Sequence, residues 1–210
     1  DYKKGNYNCI DLRTTNIKEL DTNSIYYLWD YYKWKIVEKF PRDHPWRICH
    51  DTIIAIKNYR YFERRNNVPN TKNFMVSIRD SLKYLPGNWI IGFAPGHEDT
   101  AFNSNGVIKI VEVCGLESRF SIEKNLILKK YSTEAKKTSI NRSTNYRNDI
   151  ASFLLQDSHI VKGKNVVIFD DITTSGATLI ACRVLLKDAG AENVILVSLT
   201  KTKEIPYEWR

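Results

Sequence analysis

The chain has 210 residues and a hydrophobic fraction of 42%, which suits one domain, or one domain with an appendage, that buries a core. No apolar run approaches the ~18 residues of a transmembrane helix, and the first 16 residues lack the apolar segment of a signal peptide. We therefore expect a cytoplasmic protein without membrane contact. The net charge of +8 fits a nucleic acid or a polyanionic small molecule such as a diphosphate, and does not choose between them.

The cysteines are scattered along the chain, with no close pair typical of a zinc site or a thiol motif. We expect reduced, buried thiols, as in a cytoplasmic protein. The four are Cys9, Cys49, Cys114 and Cys182.

The first 87 residues predict an aromatic-rich helical region. Apolar residues recur near helical spacing in three segments, so we expect helices over residues 24–40, 49–65 and 71–85. Pro41 ends the first segment, and a Pro-Gly pair follows the third. We expect this region to form a hood or another accessory part beside a second unit.

From residue 88 onward, short apolar strands alternate with helices of about ten residues. This alternation predicts an α/β domain over residues 88–210, built on a parallel sheet flanked by helices. The predicted strands cover residues 89–94, 125–130, 165–170 and 193–199, and the predicted helices cover 104–114, 148–155 and 178–188.

One stretch, VVIFDDITTSGAT at residues 166–178, carries the clearest chemistry. An apolar strand runs into Asp170 and Asp171, which we expect at the carboxyl end of the strand, where ligands bind in such sheets. The small and hydroxylated residues that follow lead into a helix N-terminus, which favours an anion. The carboxylates suit the hydroxyls of a sugar and the loop suits a phosphate, so together they predict a ribose 5-phosphate site. The predicted phosphate-binding residues are Thr173, Thr174, Ser175, Gly176, Ala177 and Thr178.

Other phosphate-site motifs do not fit the chain. It contains no GxxxxGK[ST] to accompany a Walker B strand and no GxGxxG for a dinucleotide. A phosphorylated aspartate would want D-x-D, whereas the two carboxylates here are adjacent. A structural turn with a capped helix is the remaining alternative.

The same stretch resembles the PRPP-binding signature of the type I phosphoribosyltransferases, which is an apolar strand, an acidic pair and a T-T/S-G-x-T loop. The segment DDITTSGAT and the later segment LLKDAGAENVILVSL are most similar to the ComF-like, amidophosphoribosyltransferase-related branch. The resemblance covers about residues 88–203. Thr173 replaces a frequent tyrosine of that branch, and its cysteine-rich zinc module is absent, so the resemblance does not imply an acceptor.

The resemblance also implies two further loops. FAPGHED at residues 93–99 matches the diphosphate loop, in which the backbone of Ala94, Pro95 and Gly96 would wrap the leaving group. His97 would add a donor or remain a solvated loop histidine.

The basic interval between Lys129 and Asn148 matches a mobile loop that closes over PRPP, or is a flexible surface loop. It places Arg142 in an R-x-x-N motif, with Arg147-Asn148 as a rival register. Lys129, Lys136 and Lys137 would neutralise a diphosphate.

The resemblance implies a phosphoribosyltransferase in which Asp170, Asp171 and Arg142 are catalytic. Mg²⁺ would arrive with PRPP rather than sit in a protein cage. Two alternatives stay open. One is a regulator that senses PRPP or a nucleotide, and the other is a nucleic-acid-associated effector supported by RYFERR (60–65) and PRDHPWR (41–47). A protein partner on the basic surface and a homodimer also stay open.

Overall fold

The computed structural model describes residues 9–11, 22–57, 89–96, 106–113, 120–130 and 150–204. In chain order its elements are β1 (Cys9–Asp11), β2 (Ile25–Tyr31), α1 (Trp34–Val37), α2 (Pro45–Lys57), β3 (Trp89–Phe93), α3 (Gly106–Val113), β4 (Ser121–Ile122), β5 (Ile127–Lys129), β6 (Phe153–Leu155), β7 (Asn165–Thr173), α4 (Ala177–Asp188) and β8 (Asn193–Thr202).

Six of the strands form one sheet in the order β1-β2-β8-β7-β3-β4, and every neighbouring pair is parallel. The predicted α/β class, a parallel sheet flanked by helices, is confirmed. Because all strands run the same way, their carboxyl ends meet at one edge of the sheet. The described residues that directly follow β2, β3, β7 and β8 therefore lie at that edge.

The sheet is buried on both faces, and its side chains alternate between two apolar clusters. In β7, Val166 and Ile168 pack on the side of α4, whereas Val167 and Phe169 pack on the side of α2 and α3. The same alternation holds in the neighbouring strands. It determines which side of the sheet each polar residue at the carboxyl edge faces.

The predicted helix over residues 24–40 is wrong, because Ile25–Tyr31 form strand β2, which pairs with β8. Only Trp34–Val37 of that segment are helical. Six of the seven residues of the strand, IYYLWDY, are aromatic or apolar. A nearly continuous run of this kind is typical of a strand buried on both faces, and a few of its positions match helical spacing by chance.

The second predicted helix is confirmed in part, since α2 covers Pro45–Lys57 rather than starting at residue 49. Pro45 is the first residue of this helix, a position at which proline is common. Residues 58–65 and the third predicted helix, 71–85, lie outside the described residues. The division at residue 87 stays a prediction, although β2 belongs to the same sheet as β7 and β8.

In the second half of the chain, β3, α3, β7, α4 and β8 confirm the predicted elements to within a few residues. The helix over residues 148–155 is wrong beyond residue 152, because Phe153–Leu155 form β6. This strand pairs antiparallel with β5, and the two form a separate small sheet. The strand predicted over 125–130 therefore lies outside the main sheet.

Among the described residues, no helix is long and apolar enough to cross a membrane.

Candidate functional site

The acidic pair lies at the carboxyl edge of the main sheet, on its strand β7. The strand was predicted to end at residue 170 but runs to Thr173, so Asp170 and Asp171 lie within its last four residues. Phe169 faces the α2 side, and Asp171 lies on that side too, since its carboxylate pairs with Lys57. Alternation along the strand predicts the α4 side for Asp170. Both side chains are half-buried. The two carboxylates are adjacent in sequence but have different surroundings.

Each carboxylate accepts a hydrogen bond from the next backbone amide. The Asp171 N–H donates to Asp170 Oδ1 at 2.9 Å, and the Ile172 N–H donates to Asp171 Oδ1 at 2.6 Å. The Thr200 hydroxyl donates to the Asp171 carbonyl at 3.1 Å. Short side chains such as Asp compete in this way with regular backbone pairing. The two amide bonds hold one oxygen of each carboxylate against the residue that follows it in β7. The Thr200 bond ties the backbone of Asp171 to β8.

Lys57, the last residue of α2, is a site residue that the sequence analysis missed. Its Nζ lies 3.3 Å from Asp171 Oδ2, and the two side chains are 38% and 20% exposed. Helix α2 starts beside β2, where the Cys49 thiol donates to the Asp30 carbonyl, and ends beside β7. It therefore runs across this side of the sheet near the carboxyl edge, and its last residue places an ammonium group beside Asp171.

The predicted phosphate loop joins β7 to α4. Gly176 precedes the helix with a φ of 80°, in the left-handed region that glycine adopts without strain. The Ile180 N–H donates to the Gly176 carbonyl at 2.9 Å, and the Ala177 N–H donates to Ser175 Oγ at 3.3 Å. Within the described part of the chain, the N–H groups of residues 174–176 donate to no protein acceptor. They are therefore available to an anion at the N-terminus of a twelve-residue helix.

The six predicted phosphate-binding residues divide by burial. Thr173, Gly176 and Ala177 are buried, whereas Thr174 is exposed and Ser175 and Thr178 are half-buried. The surface that a ligand can reach is therefore offered by Thr174, Ser175 and Thr178, and the buried three shape the loop from below.

Two residues at the end of β8 form hydrogen bonds with Thr174 of the predicted phosphate loop. Thr174 Oγ1 lies 2.9 Å from Thr202 Oγ1, and one of these hydroxyls donates to the other. The Lys201 ammonium donates to the Thr174 carbonyl. Lys201 and Thr202 were also missed by the sequence analysis, which assigned them no role.

The predicted diphosphate loop begins beside the acidic pair. The Ala94 N–H donates to the Phe169 carbonyl at 2.8 Å, so residues 94–96 leave β3 next to Asp170. Gly96 is exposed, and a Cβ placed on it would meet nothing within 4 Å. Among the other residues predicted for the two loops, His97, Lys136, Lys137 and Arg142 lie outside the described residues. Lys129 is described, and it is a buried residue of β5.

Tyr31, at the end of β2, belongs to the same edge. Burial raises the pKa of its hydroxyl, and the negative charge of Asp171 raises that pKa further. Tyr31 is therefore a neutral hydroxyl at physiological pH. Its ring stacks on His50 of α2, with the ring centroids 5.2 Å apart.

The acidic pair could share in binding Mg²⁺, because carboxylate oxygens are among the ligands this ion prefers. Among the described residues, no cluster of three His, Cys, Asp or Glu side chains could hold a metal ion. A cation brought in by a ligand, with most of its coordination supplied by phosphate and water, fits this donor set.

The candidate site thus lies at the carboxyl edge of a parallel sheet, with an acidic pair on β7 and the predicted phosphate loop directly after it. Residues 118–210 match the family model described as a phosphoribosyl transferase domain. The match covers less than half of the chain, but includes the acidic pair, the phosphate loop, α4 and β8. The resemblance seen in VVIFDDITTSGAT is confirmed at the level of this domain, and the ComF-like branch stays a prediction.

Several solved structures are similar at low identity. A hypoxanthine phosphoribosyltransferase from Staphylococcus aureus is 14% identical, with a TM-score of 0.40, over 65% of this chain and 68% of that chain. An adenine phosphoribosyltransferase from Leishmania tarentolae is 15% identical, with a TM-score of 0.37, over 64% and 76%. A purine phosphoribosyltransferase from Pyrococcus horikoshii is 17% identical, with a TM-score of 0.35, over 65% and 91%. No curated protein matches the chain.

Proposed function

We propose that the protein binds PRPP and transfers its phosphoribosyl group to a base or amine acceptor, with release of diphosphate. The observation that carries the proposal is the arrangement of β7 and its loop. Two half-buried carboxylates lie directly before a loop whose N–H groups at residues 174–176 have no acceptor among the described residues. Carboxylates accept from sugar hydroxyls, and amide groups at a helix N-terminus bind a phosphate.

In this proposal, each part of the site has one task. Asp170 and Asp171 accept hydrogen bonds from the two ribose hydroxyls, and residues 173–178 bind the 5-phosphate. Residues 94–97 bind the diphosphate, and Arg142 of the basic interval closes over it. The bond from the anomeric carbon to the diphosphate oxygen breaks and its electrons leave with diphosphate. The lone pair of the acceptor nitrogen forms the new bond, and the nitrogen loses its proton to solvent. The protein contributes positioning and charge stabilisation.

Mg²⁺ bound to PRPP would offset the charge of the diphosphate as it leaves. Asp170 and Asp171 are the described residues whose oxygens would face such an ion. The protein's own part is to hold these oxygens in place through the Asp171 and Ile172 amides and the Lys57 ammonium.

The acceptor, the ComF-like branch, a homodimer and a cytoplasmic location stay proposals of the same kind. A regulator that binds PRPP or a nucleotide without turnover is the first alternative. It would keep the sugar and phosphate contacts, but would release no diphosphate with any acceptor.

A nucleic-acid-associated effector is the second alternative, and one surface favours it. Trp34 is 46% exposed, and the Arg47 guanidinium carbon lies 4.9 Å from the centroid of its ring. Exposed aromatic rings with neighbouring cations stack on the bases of single strands. Single-strand binding that weakens steeply with salt would support this alternative.

Calorimetry on the full chain tests the proposal. We expect PRPP and ribose 5-phosphate to bind, and PRPP to bind more tightly with Mg²⁺. Diphosphate release would then be measured against a panel of purines, pyrimidines and amines. Binding without release would favour the regulator, and a chain that binds none of these ligands would refute both.

A further inference from the structure

Two lysines from outside the motif contact its two halves. Lys57 at the end of α2 forms an ion pair with Asp171, at 3.3 Å, and Lys201 of β8 donates to the carbonyl of Thr174. The first contact lies on the sugar side of the proposed site, and the second lies on the phosphate side. Neither lysine is part of the stretch from Val166 to Thr178.

Lys57 fixes the second carboxylate of the pair. Asp171 Oδ1 accepts from the Ile172 amide at 2.6 Å, and the Lys57 ammonium lies beside the other oxygen. With both oxygens fixed, the carboxylate plane has one orientation, and each oxygen keeps a further lone pair for a sugar hydroxyl.

Lys201 fixes the orientation of a peptide unit in the phosphate loop. In a trans peptide, the carbonyl of Thr174 and the N–H of Ser175 point in opposite directions. Because Lys201 holds that carbonyl from the β8 side, the Ser175 N–H is directed away from β8 and into the loop. The bond between the Thr174 and Thr202 hydroxyls, at 2.9 Å, holds the adjoining side chain to the same strand.

We infer that Lys57 and Lys201 are positioning residues for the two halves of the site. Lys57 orients Asp171 for a ribose hydroxyl, and Lys201 orients the loop amide for the 5-phosphate. The inference rests on the proposed function, and gives each lysine a different ligand signature.

The test measures the affinity of the full chain for inorganic phosphate and for ribose 5-phosphate by calorimetry. Lys57→Met keeps the aliphatic stem and removes the charge. We expect it to weaken ribose 5-phosphate binding about threefold or more, in line with a partly exposed ion pair, and to leave inorganic phosphate nearly unchanged. Lys201→Met should weaken both ligands by a similar factor, because both use the loop. Lys57→Arg and Lys201→Arg should restore most of the loss.

Lys187→Met is the matched control. This lysine donates to the Glu192 carbonyl at 2.8 Å, at the end of α4 and the start of β8, on the opposite edge of the sheet. The variant loses the same charge and a similar contact, and we expect its affinity for both ligands to stay unchanged.

The outcomes separate the inference from the proposed function. Wild-type protein that binds neither ligand refutes both. If the wild type binds and Lys57→Met weakens both ligands equally, or weakens neither, the assigned role of Lys57 is wrong while the proposed function stands. If Lys187→Met weakens both ligands as much as the other two variants do, the effects of Lys57 and Lys201 come from the net charge rather than from their positions. Urea unfolding of each variant verifies that the fold is kept, and a variant that loses its fold is replaced by the matching Arg and Gln variants.

Discussion

The two faces of the sheet are built from different side chains. Among the described residues, the buried cluster under α2 and α3 is rich in aromatic rings, whereas the cluster under α4 contains four alanines and one ring. The aromatic side chains of the first cluster are Tyr26, Tyr31, Trp89, Phe93, Phe120 and Phe169. The alanines of the second are Ala94, Ala177, Ala181 and Ala191.

Small side chains let a helix approach a sheet closely, and this closeness shapes the phosphate loop. Ala177 and Ala181 lie one turn apart on α4 and are both buried. The start of the helix is consequently pressed against β2, and a Cβ on Gly176 would lie 2.4 Å from the Ile25 side chain. On the other face, α2 crosses near the edge and brings Lys57 to Asp171. One face therefore packs closely against the predicted phosphate loop, and the other supplies a charged side chain.

Removing β2 should break both faces at once, and this is the largest effect we expect. Ile25 packs under α4, whereas Tyr26 and Leu28 pack under α2 and α3, and all three are at most 1% exposed. A chain without residues 1–31 would also expose the backbone edge of β8. We expect it to be insoluble or to bind a hydrophobic dye strongly. A soluble, cooperatively unfolding truncation would contradict the role of β2 in the core.

Gly176→Val should break only the α4 face. A side chain there requires a left-handed backbone and overlaps Ile25, so we expect a loss of about 2–5 kcal/mol in the free energy of unfolding. The variant should lose phosphate binding because its fold is disturbed, rather than because the loop is obstructed. Urea unfolding measures the loss.

Gly96→Ala is the control for that substitution. It lies in the neighbouring loop, where a Cβ meets nothing within 4 Å. Its free energy of unfolding should change by less than about 0.5 kcal/mol, as at other exposed sites. Equal losses in the two variants would show that tight packing at Gly176 is not the cause.

The acidic pair lies at the carboxyl edge, where both faces of the main sheet end, and its charges can be removed without changing the shape of the side chains. Asp170→Asn with Asp171→Asn keeps the oxygens that accept from the Asp171 and Ile172 amides but removes both charges. We expect PRPP to bind at least about tenfold more weakly, as the loss of one charge-assisted bond implies, while inorganic phosphate binds as before or slightly better. Calorimetry on both ligands decides. Equal losses would mean that the pair organises the loop.

The single variants sharpen this comparison. Asp171→Asn also deprives Lys57 of its charged partner, whereas Asp170→Asn leaves that ion pair intact. We therefore expect the larger loss of PRPP affinity from Asp171→Asn. The reverse order would place the principal sugar contact on the α4 side.

The sequence predicted the parts of the fold in which local signals agree. In residues 165–199, an apolar strand, a glycine-containing loop, a helix and a second strand follow one another, and the structure confirms each of them. Strand β2 was predicted as a helix because its nearly continuous apolar run has no clear period. Its pairing with β8 joins residues about 170 positions apart, which no local pattern reveals.

The candidate site divides in the same way. Asp170, Asp171 and the loop after them could be predicted because they are contiguous in a single motif. Lys57 and Lys201 could not, since each is an ordinary exposed or half-buried lysine until the sheet order places it beside the motif.

The smallest effect we expect lies on the outer side of α3, where Glu112 is paired with two lysines. Lys124 and Lys109 both donate to its carboxylate, the second at 3.1 Å, and the hydrogen bond from Lys124 is the main reason that the pKa of Glu112 lies below its ordinary value of 4.5. A lowered pKa in the folded state stabilises the protein above pH 4.5, and this contribution is lost as the pH falls through the folded-state value.

Because the lysines are about half exposed, we expect Glu112→Gln to cost less than about 1 kcal/mol of the free energy of unfolding at pH 7. The difference from the wild type should shrink as the pH falls below 4.5 in urea unfolding. A difference that stays constant from pH 7 to pH 3 would show that Glu112 contributes through packing rather than through its charge.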